Sequence, residues 1–174
     1  DPAGGVVLAK KCGSCTQCCK VMKVAELDKP HGVWCGHCSI GKGCSIYADR
    51  PGACRTFACQ WLRDETSPHR LRPDQTKVVV IRDMQGQRLL AICDPANPMA
   101  WRREPFYSAL KRWAGEAFGT GRQVAVVVGK HHWAIAPNLD LDLGDLGPGE
   151  TYLLEELPDR TVKATFDPPR PAPN

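Results

Sequence analysis

A chain of 174 residues, 43% hydrophobic and 24% charged, is long enough to bury roughly 70% of its unfolded surface, so it can fold on a core without needing disulfides. That apolar content excludes a disordered chain, its 16 Gly and 15 Pro follow no collagen period, and no run approaches the roughly 18 apolar residues of a membrane span. The formal net charge of +4 counts the thiols of ten cysteines as protonated; metal binding would strip those protons and bring the charge near or below zero, so the charge is weak evidence for nucleic acid.

The chain begins at Asp1, which leads us to expect a missing or processed N-terminus, a targeting peptide included. Residues 1–11 are Gly- and Lys-rich and expected to fray, with Val6, Val7 and Leu8 offering a short strand. Nine of the ten cysteines then fall between Cys12 and Cys59. Oxidised frameworks space their cysteines along the whole chain, and the vicinal pair Cys18 and Cys19 does not bridge easily, so reduced, metal-holding thiols are expected. The run Cys12, Cys15, Cys18, Cys19 holds overlapping C-x-x-C turns, each of which sets two thiolates close enough to share an ion. A second knuckle, Cys35 and Cys38, follows, and then Cys44, Cys54 and Cys59. Nine thiolates exceed one tetrahedral site and nearly match two, and the ninth is left to bridge, stand spare or act in redox chemistry. Zinc and iron–sulfur clusters use the same soft ligands, so the spacing does not separate them.

Within this half, Asp49 or Arg50 can cap and Pro51 can open a helix whose apolar face is Cys54, Phe57, Ala58, Trp61 and Leu62. On a regular helix Cys54 and Cys59 would lie about 140° apart, so either they serve different sites or the helix breaks between them. Residues 77–82 and 88–93 read as a hairpin around a polar segment, residues 83–87. Pro105 opens an amphipathic helix on Phe106, Leu110, Trp113, Ala114 and Ala117, stopped by Gly119. Residues 123–128 and 132–136 form a second hairpin through Gly129 and Lys130, residues 137–150 an acidic loop, and residues 161–166 a further strand.

The cysteines carry a resemblance. Residues 12–19 match C-x-x-C-x-x-C-C completely, and residues 43–59 match a second block, C-x-I-Y-x-x-R-P-x-x-C-R-x-F-x-C, in the right order. Together they resemble the cysteine-cluster family of zinc- or iron-chelating domains over residues 12–62, which implies metal chelation rather than a known reaction. The presence of both Cys35 and Cys38 departs from that family's minimal pattern and leaves the sharing of thiolates open. A similar cluster in flagellin lysine methylases implies an iron–sulfur centre as the alternative.

Among the remaining residues, Arg50 and Arg55 are expected to donate to metal-bound sulfur, and Tyr47, Phe57 and Trp61 to shield the centre from water. His31 and His37 are surplus to the thiolate supply, His131 and His132 are expected to be exposed, and Cys93 to be core. Asp140, Asp142 and Asp145 fail the calcium-loop register, and no hydrolase, nucleotide or metalloprotease motif occurs, so no catalytic constellation is visible.

The expected fold is α+β: an irregular cysteine-rich metal-binding module, residues 1–72, packed on a small domain of β-hairpins and one amphipathic helix, residues 73–166, with a disordered tail, residues 167–174. The expected function is metal chelation in the cytoplasm, with Cys12, Cys15, Cys18, Cys19, Cys35, Cys38, Cys44, Cys54 and Cys59 holding one or two Zn2+ structurally, and a module that folds only when metallated. The rivals are an iron or iron–sulfur electron carrier or methyltransferase-like enzyme, a metal-handling buffer, and an adaptor or nucleic-acid module with a basic face of Lys10, Lys11, Lys20, Lys23, Arg55 and Arg63. Metal ions are the expected partners, with room for a protein partner, no membrane, and nucleic acid disfavoured.

Overall fold

The run Val78–Asp83 places successive side chains on opposite faces, and both faces are buried: Val78, Val79 and Val80 are at most 6% exposed. Such a strand needs a layer on each side, and the chain supplies both. The computed structural model describes Leu8 and residues 10–172, so the strand expected at Val6 and Val7 lies outside the described residues.

The cysteine-rich half is made of short pieces: α1 (Gln17–Val21), the ladder β1 (Cys38–Ser39) and β2 (Gly43–Cys44), α2 (Gly52–Thr56), α3 (Gln60–Arg63) and α4 (Pro73–Thr76). Then follow β3 (Val78–Asp83), β4 (Arg88–Cys93), α5 (Phe106–Ala117), β5 (Gln123–Val128), β6 (His131–Ala136), β7 (Leu139–Asp145), β8 (Thr151–Glu156) and β9 (Val162–Asp167). Strands β3 to β7 form one sheet in chain order, antiparallel throughout except for the parallel pair β4 and β5. A parallel pair requires a long crossover, which is what α5 provides.

One face of the sheet carries Val78, Val80, Ala91, Val124, Val126 and Ile135, packed against Phe106, Leu110 and Ala114 of α5 and the fully buried Trp101. The opposite face is divided. Over Val79, Ile81 and Ile92 lies the cysteine-rich half, through Val21, Phe57, Cys59 and Leu62. Over Ala134 and Ala136 lies the separate hairpin of β8 and β9, through Tyr152 and Val162. Each fully buried aliphatic side chain contributes about 1.5–3 kcal/mol, so the two covers hold the sheet from both ends of one face. The fold is mixed α+β, as composition and periodicity predict.

Several elements differ from the sequence reading. The helix expected over residues 51–62 is broken: Phe57 (φ −70°, ψ 130°) and Cys59 (φ −70°, ψ 163°) are extended, and α3 starts anew at Gln60. The break lets Cys59 turn inward beside Phe57 and Leu62, which an unbroken helix would forbid. The acidic loop is strand β7, because Leu139, Leu141 and Leu143 alternate with the aspartates and pack under the β8–β9 hairpin. Strand β8 gave no signal of its own. The two hairpins are one sheet, joined by the β4–β5 pair. His132 is not exposed: its ring stands 6.4 Å from that of Tyr152, with Nδ1 buried. The expected tail begins inside β9, and the Arg170 guanidinium donates to the carbonyls of Leu143 (2.5 Å) and Asp145 (2.7 Å).

Candidate functional site

The first knuckle is closed by the Cys15 amide donating to the Cys12 carbonyl at 3.0 Å, with Gly13 at φ +58°, a conformation that disfavours side-chain-bearing residues. Arg72 clamps it from outside. Its guanidinium is paired with Asp74 through two 2.6 Å hydrogen bonds and donates to Ser14 Oγ at 3.1 Å. The knuckle runs into α1, which is moored at both edges: Val21 is 1% exposed in the core under β3, and the Gln17 amide and Lys20 ammonium donate to the buried Asp94 carboxylate at 3.1 and 2.8 Å. Cys18 and Cys19 are thereby fixed on one short helix.

The second knuckle is hung on the first. The Cys35 amide donates to the Cys19 carbonyl (2.9 Å) and the Cys38 amide to the Cys35 carbonyl (3.0 Å). Cys38 then faces Cys44 directly across the β1–β2 ladder. Glu26 places Cys54: its carboxylate accepts from the Gly52 and Ala53 amides, both at 3.0 Å, and so caps the helix that carries it, while Cys59 stands at the start of α3.

The result is a single cavity of about 280 Å³ lined by Cys12, Cys15, Cys18, Cys19, Cys35, Cys38, Cys44, Cys54 and Cys59, all nine clustered cysteines. Met22, Leu27, Phe57, Leu62 and Val79 complete an apolar wall, and Lys29 and Arg50 bring positive charge to it. None of the cysteines is in a disulfide. Among the described residues, no three His, Cys, Asp or Glu side chains are gathered closely enough to hold one ion. The donor set suits a soft metal, and the cavity is wider than one tetrahedral ion needs.

Burial governs the thiols. It pushes Cys15 up to about 11, acts with the neighbouring Cys19 to take Cys38 to about 11, and raises Cys12, Cys54 and Cys59 as well. Cys19 is raised most strongly, by the Cys18 thiol against it and by burial. At neutral pH these groups therefore carry protons until something soft displaces them.

Other expected roles fall differently. Cys93 is fully buried on the α5 side of the sheet, its Sγ 3.1 Å from the Asn97 carbonyl, outside the cavity. His31, with Nδ1 3.3 Å from the Val21 carbonyl, and His37 do not line it. Arg50 does, stacked 3.7 Å from the centroid of Tyr47, which is 64% exposed at the rim rather than covering the centre; Arg55 and Trp61 do not reach it. The basic face loses two members: Lys10 donates to the carbonyls of Trp61, Asp64 and Ser67, and Lys20 is spent on Asp94. Sequence reasoning missed Lys29, Arg72, Glu26 and Asp94; none carries a local signal, and even Glu26 caps a helix that begins 26 residues further along the chain.

No family model, curated protein or solved structure matches the chain.

Proposed function

We propose that the chain is a metal-chelating protein whose clustered cysteines hold a centre of more than one metal ion. The observation that carries this reading is the convergence of nine thiols, separated by up to 47 residues of sequence, on one cavity while the tenth is kept in the hydrophobic core. All nine thiols line one cavity, more than a single tetrahedral ion can bind, which favours ions sharing bridging thiolates over isolated single-ion sites. Two zinc ions in shared thiolate coordination form the leading version, and the resemblance of residues 12–19 and 43–59 to the zinc- or iron-chelating cysteine-cluster family supports it.

An iron–sulfur cluster is the second reading, favoured by the same breadth of cavity and by its apolar wall, which would keep water from cluster sulfur. Elemental analysis and acid-labile sulfide on protein prepared anaerobically separate the two. Zinc in a ratio near two with a featureless visible spectrum supports the first; iron with sulfide and absorption near 400 nm supports the second. Protein that binds neither metal, after reduction and anaerobic reconstitution, overturns the proposal.

A further inference from the structure

Lys29 is 5% exposed, an uncommon state for a lysine. Its backbone pairs with Val24 in an antiparallel bridge, which turns the side chain back beneath α1. There the ammonium donates to the carbonyls of Lys20 (2.9 Å), Met22 and Pro30 (3.0 Å). An ammonium has three N–H donors, and all three are spent on carbonyls. Lys29 therefore has nothing left to bond a sulfur or a ligand, and no carboxylate pairs with it among the described residues.

A buried cation without a counter-charge is expensive. Three neutral carbonyls replace its hydration but not its charge. The same side chain lines the thiol cavity and lies within electrostatic reach of Cys18, Cys19, Cys35 and Cys54. The cavity that Lys29 lines is also the one the nine cysteines line, so a metal–thiolate centre held there would stand beside the buried ammonium.

We propose that Lys29 is the built-in counter-ion of the centre, a fixed positive charge that stabilises a net-negative metal–thiolate assembly without touching it and sets its affinity or reduction potential. This rests on the metal reading above. Four thiolates on one divalent zinc carry a formal charge of about −2, and adding an electron to an iron–sulfur cluster makes it more negative still. Lys29 itself is buried and held in place by carbonyls, and salt screens a buried charge less than a surface one.

The test compares wild type, Lys29→Gln and Lys29→Arg, each loaded anaerobically. Metal content of the wild type comes first: if it takes up neither zinc nor iron, the metal reading falls and the role of Lys29 with it. In a loaded wild type, Lys29→Gln is expected to weaken zinc at least tenfold in a chelator competition. If the metal is iron, it is expected to lower the midpoint potential by at least about 59 mV, the one-electron equivalent of tenfold. Both effects should persist in high salt, and Lys29→Arg should stay within threefold of wild type.

A purely structural lysine gives another pattern, lowering thermal stability in Lys29→Gln while leaving affinity and potential within threefold of wild type. That result would overturn the inference and leave the metal reading standing. If Lys29→Gln does not fold, Lys29→Arg still decides: a tenfold departure in affinity or potential from the folded, charge-retaining variant overturns the counter-ion role.

Discussion

Lys20 and Asp94 lie 74 residues apart in sequence and 2.8 Å apart in space, and their pairing ties the helix bearing Cys18 and Cys19 to the end of β4. Burial alone would raise the Asp94 carboxyl, but the Lys20 ammonium, the Ala96 amide and the Gln17 side chain together hold it below its usual range. A depressed carboxyl stabilises the fold above its unfolded pKa and loses that contribution as pH falls through the folded value, so this mooring should weaken below about pH 4. Replacing Asp94 by Ala strands a mostly buried ammonium and should cost about 3 kcal/mol, measured by urea denaturation at neutral pH. A loss below about 1 kcal/mol would show that α1 is held by Val21 alone.

Two cysteines of similar burial should respond in opposite ways. Cys59 lines the cavity and Cys93 is core on the far side of the sheet. Cys59→Ser is expected to lower metal stoichiometry or affinity at least tenfold, whereas Cys93→Ala should leave metal content unchanged and cost about 1–2 kcal/mol of packing. Loss of metal from Cys93→Ala in a folded protein would contradict the assignment.

Thiols that burial holds at about 11, as at Cys15 and Cys38, must give up protons when they bind metal. Apparent zinc affinity should therefore climb between about pH 6 and pH 8, by roughly tenfold per unit for each such ligand. Competition titrations across that range, with proton release followed in weak buffer, provide the measurement. In the metal-free protein the sign reverses: thiols that keep their protons when folded make stability fall as pH rises above the ordinary thiol value of 9.0.

The Tyr152 hydroxyl is buried and, among the described residues, has no hydrogen-bond partner, in the same neighbourhood as the His132 Nδ1, which has none among them either. Removing an unsatisfied hydroxyl removes a penalty rather than an interaction, so Tyr152→Phe should hold or raise the melting temperature, by up to about 1 kcal/mol of stability. A drop of similar size would place a bound water on that oxygen.

Which parts of this were legible beforehand follows from the range of the forces involved. Helix α5 and the β5–β6 hairpin are written in local periodicity, as Phe106, Leu110 and Ala114 and the run from Gln123 to Val128 show. The cysteine knuckles are equally local, because two residues of spacing suffice to bring thiols together. The interruption at Phe57 to Cys59 is set by what Cys59 must face, and the parallel union of β4 with β5 by α5 packing across the sheet; neither leaves a mark on nearby sequence. Strand β7 was hidden by its aspartates, although its leucines keep the period of two. Lys29 and Asp94 carry no mark in the sequence, because a buried charge is recognised only by its surroundings.

The double burial of β3 bears on how the protein would fail. By strand order β3 is an edge of the sheet, and its sequence Val78, Val79, Val80, Ile81 is aliphatic without interruption. The cysteine-rich half covers one side of that strand. If loss of metal loosens that cover, an apolar edge strand with unpaired backbone groups is laid open, the arrangement that recruits a second chain into cross-strand pairing. On the proposed metal reading the thiol centre would guard solubility, and chelator-treated protein should precipitate from the β3 edge outward while the sheet behind it is still folded.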